Sequence, residues 1–210
     1  GSKKFIEDRL TLTANVMLAD ITDDNAPISN NSGFEGDLMG AMLKANPSQA
    51  VSDTGGFVQP GTTEPNPMAM LAYTNDVTKT LRSMGGVSAE INIIEGLSFK
   101  TILGYDRSLS NRKAAYSKDL VVTSINNIGR LFLADVEIDN RLWENYFTYT
   151  KGFGKTRFTG ILGYSYQRFD YSLRAAEYAN FVTNDLDLMI NNYSTANQGK
   201  FGSAEGTNSL

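Results

Sequence analysis

Carboxylates are the residues of this sequence best placed to do chemistry. Asp20, Asp23, Asp24 and Asn25 offer oxygen ligands at close spacing, as do Asn184, Asp185 and Asp187. Calcium accepts such ligands, yet neither segment has the loop order that ends in a bidentate twelfth-position glutamate. Both read as solvated loop charge. No cofactor is expected, and calcium at these loop carboxylates is the one metal reading left open. Asp135, Glu137 and Asp139 could suggest glycosidase chemistry, which needs two carboxyl groups flanking one bond. Their strict period of two instead puts all three on one side of a strand, as in a charged lumen wall. Gly154-Lys155-Thr156 copies the end of a phosphate-binding loop. The first glycine of that motif would fall at Tyr149, and a strand pattern follows, so the segment reads as a turn. Cysteine and histidine are both absent. That removes disulfides, Cys/His zinc sites, thiol nucleophiles and imidazole bases. No catalytic constellation survives, and the chain is not expected to be an enzyme.

The elements that would position these residues are strands. Leu10, Leu12, Ala14, Val16 and Leu18 alternate with Thr11, Thr13, Asn15 and Met17, the period of a strand with one apolar side. The same pattern recurs until five strands are predicted, near 9–23, 77–93, 97–110, 130–150 and 155–171. In the fourth, Phe132, Ala134, Val136 and Ile138 are even-numbered, while Trp143, Phe147 and Tyr149 are odd. A β-bulge near Arg141–Trp143 is the expected cause of that slip. These patterns are much longer than the five or six residues of an ordinary strand. Tyr105, Trp143, Tyr149, Tyr164 and Tyr166 lie towards strand ends, as aromatic girdles would.

The connections are unequal. Tight turns fall near 94–96 and 151–154, whereas 25–75, 111–128 and 172–210 read as long loops. The first carries the turn Asn30-Asn31-Ser32-Gly33 and a short helix starting near Asp37 and ending at Asn46-Pro47. Short turns at one end and long loops at the other are the asymmetry of outer-membrane barrels. The expected fold is all-β: an antiparallel up-and-down meander forming part of a large transmembrane barrel. No run is long and apolar enough for a membrane helix. With 210 residues, 20% charged and a net charge of −4, a general nucleic-acid binder is not expected.

Four blocks carry a family likeness. ISNNSGFEGDLMGAMLKANP (Ile28 to Pro47), GLSFKTILGYD (Gly96 to Asp106), LWENYFTYTKGFG (Leu142 to Gly154) and ILGYSYQ (Ile161 to Gln167) resemble, in that order, segments of SusC-like TonB-dependent transporters. The resemblance implies a segment of a twenty-two-stranded outer-membrane barrel of the Bacteroidetes type. It implies uptake of glycans or peptides, with outer-membrane lipid and a SusD-like lipoprotein as partners. The family's plug domain and TonB box find no counterpart among these residues, so TonB would act through parts absent from the chain.

Within that expectation the long loops meet the substrate. Tyr116, Tyr178, Phe181 and Tyr193 are the candidate aromatic platforms, with Asn111, Asp185, Asn191 and Asn192 as polar partners for an oligosaccharide or peptide. The alternative is a soluble β-sheet carbohydrate-binding module with its apolar face covered by a second sheet.

Overall fold

The computed structural model describes residues 1–27, 37–62, 64–122, 125 and 127–209. The expected turn at Asn30–Gly33 lies outside them. The chain runs β1 (Ser2–Phe5), β2 (Leu10–Asp24), α1 (Leu38–Lys44), β3 (Ser52–Asp53), β4 (Gly56–Phe57), α2 (Pro67–Ala72) and β5 (Thr74–Ile94). It continues through β6 (Leu97–Tyr116), β7 (Arg130–Phe153), β8 (Thr156–Phe181), α3 (Leu186–Asn191) and β9 (Ala196–Ser209). Seven strands form one antiparallel sheet in the order β1-β2-β5-β6-β7-β8-β9, and β3 and β4 make a separate small ribbon.

Three differences from the sequence reading have physical causes. The segments 111–128 and 172–210 are not loops throughout. β6 continues to Tyr116, β8 continues to Phe181, and Ala196–Ser209 pairs along β8. β9 reads ANQGKFGSAEGTNS, without alternation and with Thr207 as its one β-branched residue. Its strand character comes from the ladder offered by β8 rather than from its own propensity. β1 is likewise added, folding back on β2.

The expected bulge at Arg141–Trp143 is absent. Pairing runs without interruption from Arg130 to Tyr149 against β6 and from Arg130 to Phe153 against β8. The apolar residues change sides because the strand leaves one environment for another. Below Arg141 the odd-numbered side chains are mostly apolar, with Trp143, Phe147 and Tyr149 beside Asn145. Over 135–139 the odd-numbered ones are Asp139, Glu137 and Asp135, and Ile138, Val136 and Phe132 are on the opposite face; Leu133 and Leu131 at the very top pack under α3. A regular strand crossing from lipid into water needs this inversion and no bulge. Trp143 is therefore a mid-strand residue rather than a strand-end one.

Register defines the two faces. Ala14 pairs with Val87, Val87 with Leu103, Leu103 with Trp143 and Trp143 with Tyr166, so these five share one face. Leu81, Ala89, Phe99, Leu162 and Tyr164 belong to it. Arg82, Glu90, Lys100, Asp106 and Arg157 project from the other. The band is open to its surroundings: Val16 is 79% exposed, Leu162 76% and Leu18 72%. Among the described residues no second large sheet covers it.

The band crosses the sheet obliquely. Leu18, the last apolar residue before Asp20 on β2, connects by register through Ser83 and Arg107 to Asp139. On β7 the band ends at Trp143, four residues lower, about 13 Å at roughly 3.3 Å per residue. Three strand spacings separate β2 from β7, about 14 Å. The implied tilt of about 40° is that of strands in a transmembrane barrel.

The turns lie at one end. Residues 6–9, 95–96 and 154–155 join neighbouring strands tightly, and all the long connections lie at the other end. Gly96 adopts φ +80°, and a Cβ there would come within 2.2 Å of the Thr150 carbonyl oxygen. At the loop end, α1 starts as expected, with the Asp37 side chain accepting from the Met39 amide. Leu38, Met70, Leu120 and Val122 build a core there, against which Tyr116 packs. A second core joins Ala115, Leu131 and Phe181 at the strand ends to Met189 of α3. Tyr116 and Ala115 point to opposite faces of β6, so the two loop cores straddle the top of the sheet.

Candidate functional site

The face opposite the apolar band carries the groups able to meet a polar ligand. Low on this face, Gly86 and Gly104 leave a floor of bare backbone. A Cβ on Gly86 would come within 3.1 Å of the Leu103 carbonyl oxygen, and one on Gly104 within 3.3 Å of Leu142 Cβ. The resulting groove, about 430 Å³, is rimmed by Asn15, Ser88, Lys100, Asp106, Asn140 and Gln167. Its charges are paired. Arg82 donates from Nε and Nη2 to the two oxygens of Asp106, both at 2.9 Å, and Lys100 lies 3.5 Å from Glu90. Paired, solvated charge of this kind makes a wettable wall rather than a reactive centre.

A second concavity, about 410 Å³, lies higher on the same face, above the level of the band. Ala114, Ala134, Ala175 and Gly202 form its floor, with Tyr116, Phe132, Arg112, Glu177 and Lys200 around it. The Tyr116 and Phe132 rings meet edge to face, with centroids 6.0 Å apart. Small residues allow a ligand backbone or sugar ring to approach closely, and the rings offer an apolar edge. Glu177 is held by Arg130. Arg112 donates to Asp76, and this bond holds its guanidinium above the ordinary arginine range. Burial, followed by the nearby Asp76 charge, pushes the Tyr116 phenol above its usual value. The groups around this hollow are suited to binding. Among the described residues no three carboxylates converge on a point.

The eight residues singled out from the sequence do not converge. Tyr116 alone faces the upper concavity. Tyr178 and Tyr193 pack together with ring centroids 5.0 Å apart, and Phe201 meets Tyr178 edge-on. This cluster lies on the banded face, because Tyr178 pairs with Leu131. Phe181 is buried in the α3 core. Asn111 is a strand residue bonded to Asp135 at 2.5 Å, not a loop residue. Asp185 caps α3 by accepting from the Asp187 and Leu188 amides. Asn191 donates to the Asp187 carbonyl, and Asn192 accepts from Ser194.

Asp135, Glu137 and Asp139 require a correction. They share the face of Trp143 and so stand outside, above the apolar band, instead of lining a lumen. Asp20 and Asp24 likewise point to one face and Asp23 to the other, since alternate strand residues diverge. The sequence reading missed Arg112, Phe132, Glu177 and Lys200. The signal for Phe132 was the inverted phase of 132–138, attributed there to a bulge.

No family model matches the chain. Over 121 residues, 58% of this chain and 12% of the relative, it is 29% identical to TonB-dependent receptor P3 of Formosa agariphila. The solved structure of the RagAB peptide transporter superposes with a TM-score of 0.72 at 15% identity, over 98% of this chain and 24% of that one. This chain resembles a stretch of TonB-dependent receptor barrel. The RagAB peptide importer in its closed-closed state gives a TM-score of 0.71 at 14% identity, again with 24% of that chain covered. The fold is thus the antiparallel meander of a receptor barrel wall, and the chain spans an eighth to a quarter of the proteins it matches. Those relatives are described as a receptor, a transporter and an importer, none of them as an enzyme. In a receptor barrel the banded face is the outer wall and the polar face looks into the lumen.

Proposed function

We propose that this chain forms barrel wall and extracellular loops of an outer-membrane, TonB-dependent importer of oligomeric substrates. The observation that carries the reading is the polarity inversion on unbroken strands at Arg141–Trp143. Lipid outside and water inside explain the lower half, and water outside, with loop cores packed on both faces at the very top, explains the upper half. The oblique band and its barrel-like tilt support the same placement. A soluble carbohydrate-binding module would have to cover the band with a second sheet, which speaks for the membrane reading.

The imported substrate is an oligosaccharide or a peptide. A SusD-like lipoprotein covers the loop end, and TonB acts through parts outside these residues. No cofactor is required of this segment. We assign substrate contact to the upper lumenal concavity around Tyr116 and Phe132, in preference to the outward-facing Tyr178–Tyr193 pair.

The decisive experiment places one charge on each face of the complete barrel. Arginine on the lipid face at mid-membrane depth costs about 2–4 kcal/mol. Leu103→Arg is expected to reduce the amount of folded barrel in the membrane sharply, and Lys100→Leu to leave it close to wild type. Equal tolerance of the two would overturn the assignment of faces.

A further inference from the structure

On the outer wall, two arginines stand side by side where the sheet leaves the membrane. Arg141 of β7 is the direct cross-strand partner of Arg168 of β8, and in the next row up Asp139 is the direct partner of Asp170. Like charges placed directly opposite one another destabilise a sheet. An arrangement with Arg opposite Asp was open to these strands, as Asp135 opposite Arg174 demonstrates two rows higher.

Each arginine is instead neutralised by the aspartate two residues along its own strand. Arg141 donates from Nε to Asp139 at 2.8 Å. Arg168 donates from Nε to both oxygens of Asp170, at 3.0 and 2.9 Å. Tyr105, across from Arg141, donates its hydroxyl to Asp139, and Thr207 donates to Asp170. Every bond to the aspartates therefore leaves the arginine Nη groups unspent. Among the described residues those groups take no partner, and the two side chains are 59% and 43% exposed. Directly below lie Trp143 and Tyr166, the uppermost aromatic row of the lipid-facing band. The acids occupy the row on the extracellular side and the two arginines the row next to the membrane band, their paired Cα atoms about 5 Å apart.

We propose that Arg141 and Arg168 together clamp a phosphorylated headgroup of an outer-leaflet lipid. Adjacent guanidinium forks suit phosphate oxygens, which they bind through paired charge-assisted hydrogen bonds. Continuity with the lipid-facing band puts headgroups, rather than acyl chains, at this level. The clamp rests on the outer-membrane placement given above, and it fixes the height of the barrel in its leaflet through a specific contact.

The test uses the complete importer in detergent with bis-phosphorylated lipid A as probe, read by native mass spectrometry. Wild type should retain this lipid in preference to its dephosphorylated form. The double change Arg141→Gln/Arg168→Gln should weaken retention about tenfold, as expected for losing two charge-assisted phosphate contacts. Arg82→Gln, the same substitution at one arginine of the lumenal face, should leave it unaltered. Should the double variant fail to assemble, Arg168→Gln alone should lower retention in the same direction.

Unchanged retention in the arginine variants, or an equal loss in Arg82→Gln, would overturn the clamp. So would displacement of the lipid by inorganic phosphate, which would mark a free-anion site. A nitroxide at Leu103→Cys separates this failure from that of the membrane reading. Accessibility to oxygen, with protection from a water-soluble nickel chelate, keeps Leu103 in lipid whatever the arginines do. The reverse result removes the membrane placement and the clamp with it.

Discussion

Arg112 holds Asp76 across the top of β5 and β6 through two hydrogen bonds, at 2.9 and 2.5 Å. The Asp76 side chain is only 1% exposed, whereas that of Arg112 is 50% exposed. Asn25 adds a third contact to the same carboxylate at 3.3 Å, tying the start of the first long loop to the sheet. Removing the arginine leaves a buried carboxylate without its countercharge, which costs about 3 kcal/mol or more. Arg112→Ala should therefore loosen the 25–73 connection, seen as faster limited proteolysis there in an otherwise folded barrel. Combining it with Asp76→Asn should recover part of the loss, since no buried charge then remains. Proteolysis at the wild-type rate in Arg112→Ala would contradict this role.

Tyr116 lies above the membrane band, and burial raises its phenol above the ordinary value of 10.0. The folded state thus holds the proton more tightly than the unfolded one. Its contribution to stability is complete below pH about 10 and is lost as pH rises through the higher folded value. Ultraviolet titration of the complete barrel should show phenol absorbance that ionises late, and Tyr116→Phe should reduce that late component by one phenol. An unchanged titration curve in the variant would refute the assignment.

The turn glycines should differ in sensitivity. Gly96 combines φ +80° with a Cβ position only 2.2 Å from the Thr150 oxygen, whereas Gly154 has φ +61° and open space around it. Gly154→Ala carries the left-handed penalty alone, about 1–2 kcal/mol. Gly96→Ala must also displace the neighbouring β7 backbone. Refolding of the complete barrel into detergent micelles should be impaired more by Gly96→Ala, and equal yields would count against the turn geometry.

Substrate capture should follow the face and not the residue type. Tyr116→Ala and Phe132→Ala remove the aromatic edge of the upper lumenal concavity, a contribution of about 0.5–1.5 kcal/mol beyond area. Each should weaken substrate binding to the complete importer severalfold. Tyr178→Ala and Tyr193→Ala alter the outward cluster and should leave binding unchanged. Equal losses from both pairs would show that the ligand does not distinguish the faces.

Much of this architecture was legible in the residues alone. Period-two alternation in 77–93, 97–107 and 156–169 depends only on strand geometry, so it assigned Leu103 and Lys100 to opposite faces without any partner strand in view. Unequal connections likewise followed from counting residues between patterns. Three things were decided only by tertiary structure. β9 is a strand because β8 presents a ladder to it, a property of the neighbour and invisible in ANQGKFGSAEGTNS. Whether Phe132 or Trp143 marks the outer wall depends on height relative to the membrane, because the same alternation serves lipid below and packed loops above. The separation of Tyr116 from Tyr178 and Tyr193 was settled by register. Residues close in composition and similarly placed along the chain fall on opposite sides of one sheet, since each step along a strand reverses the direction of the side chain.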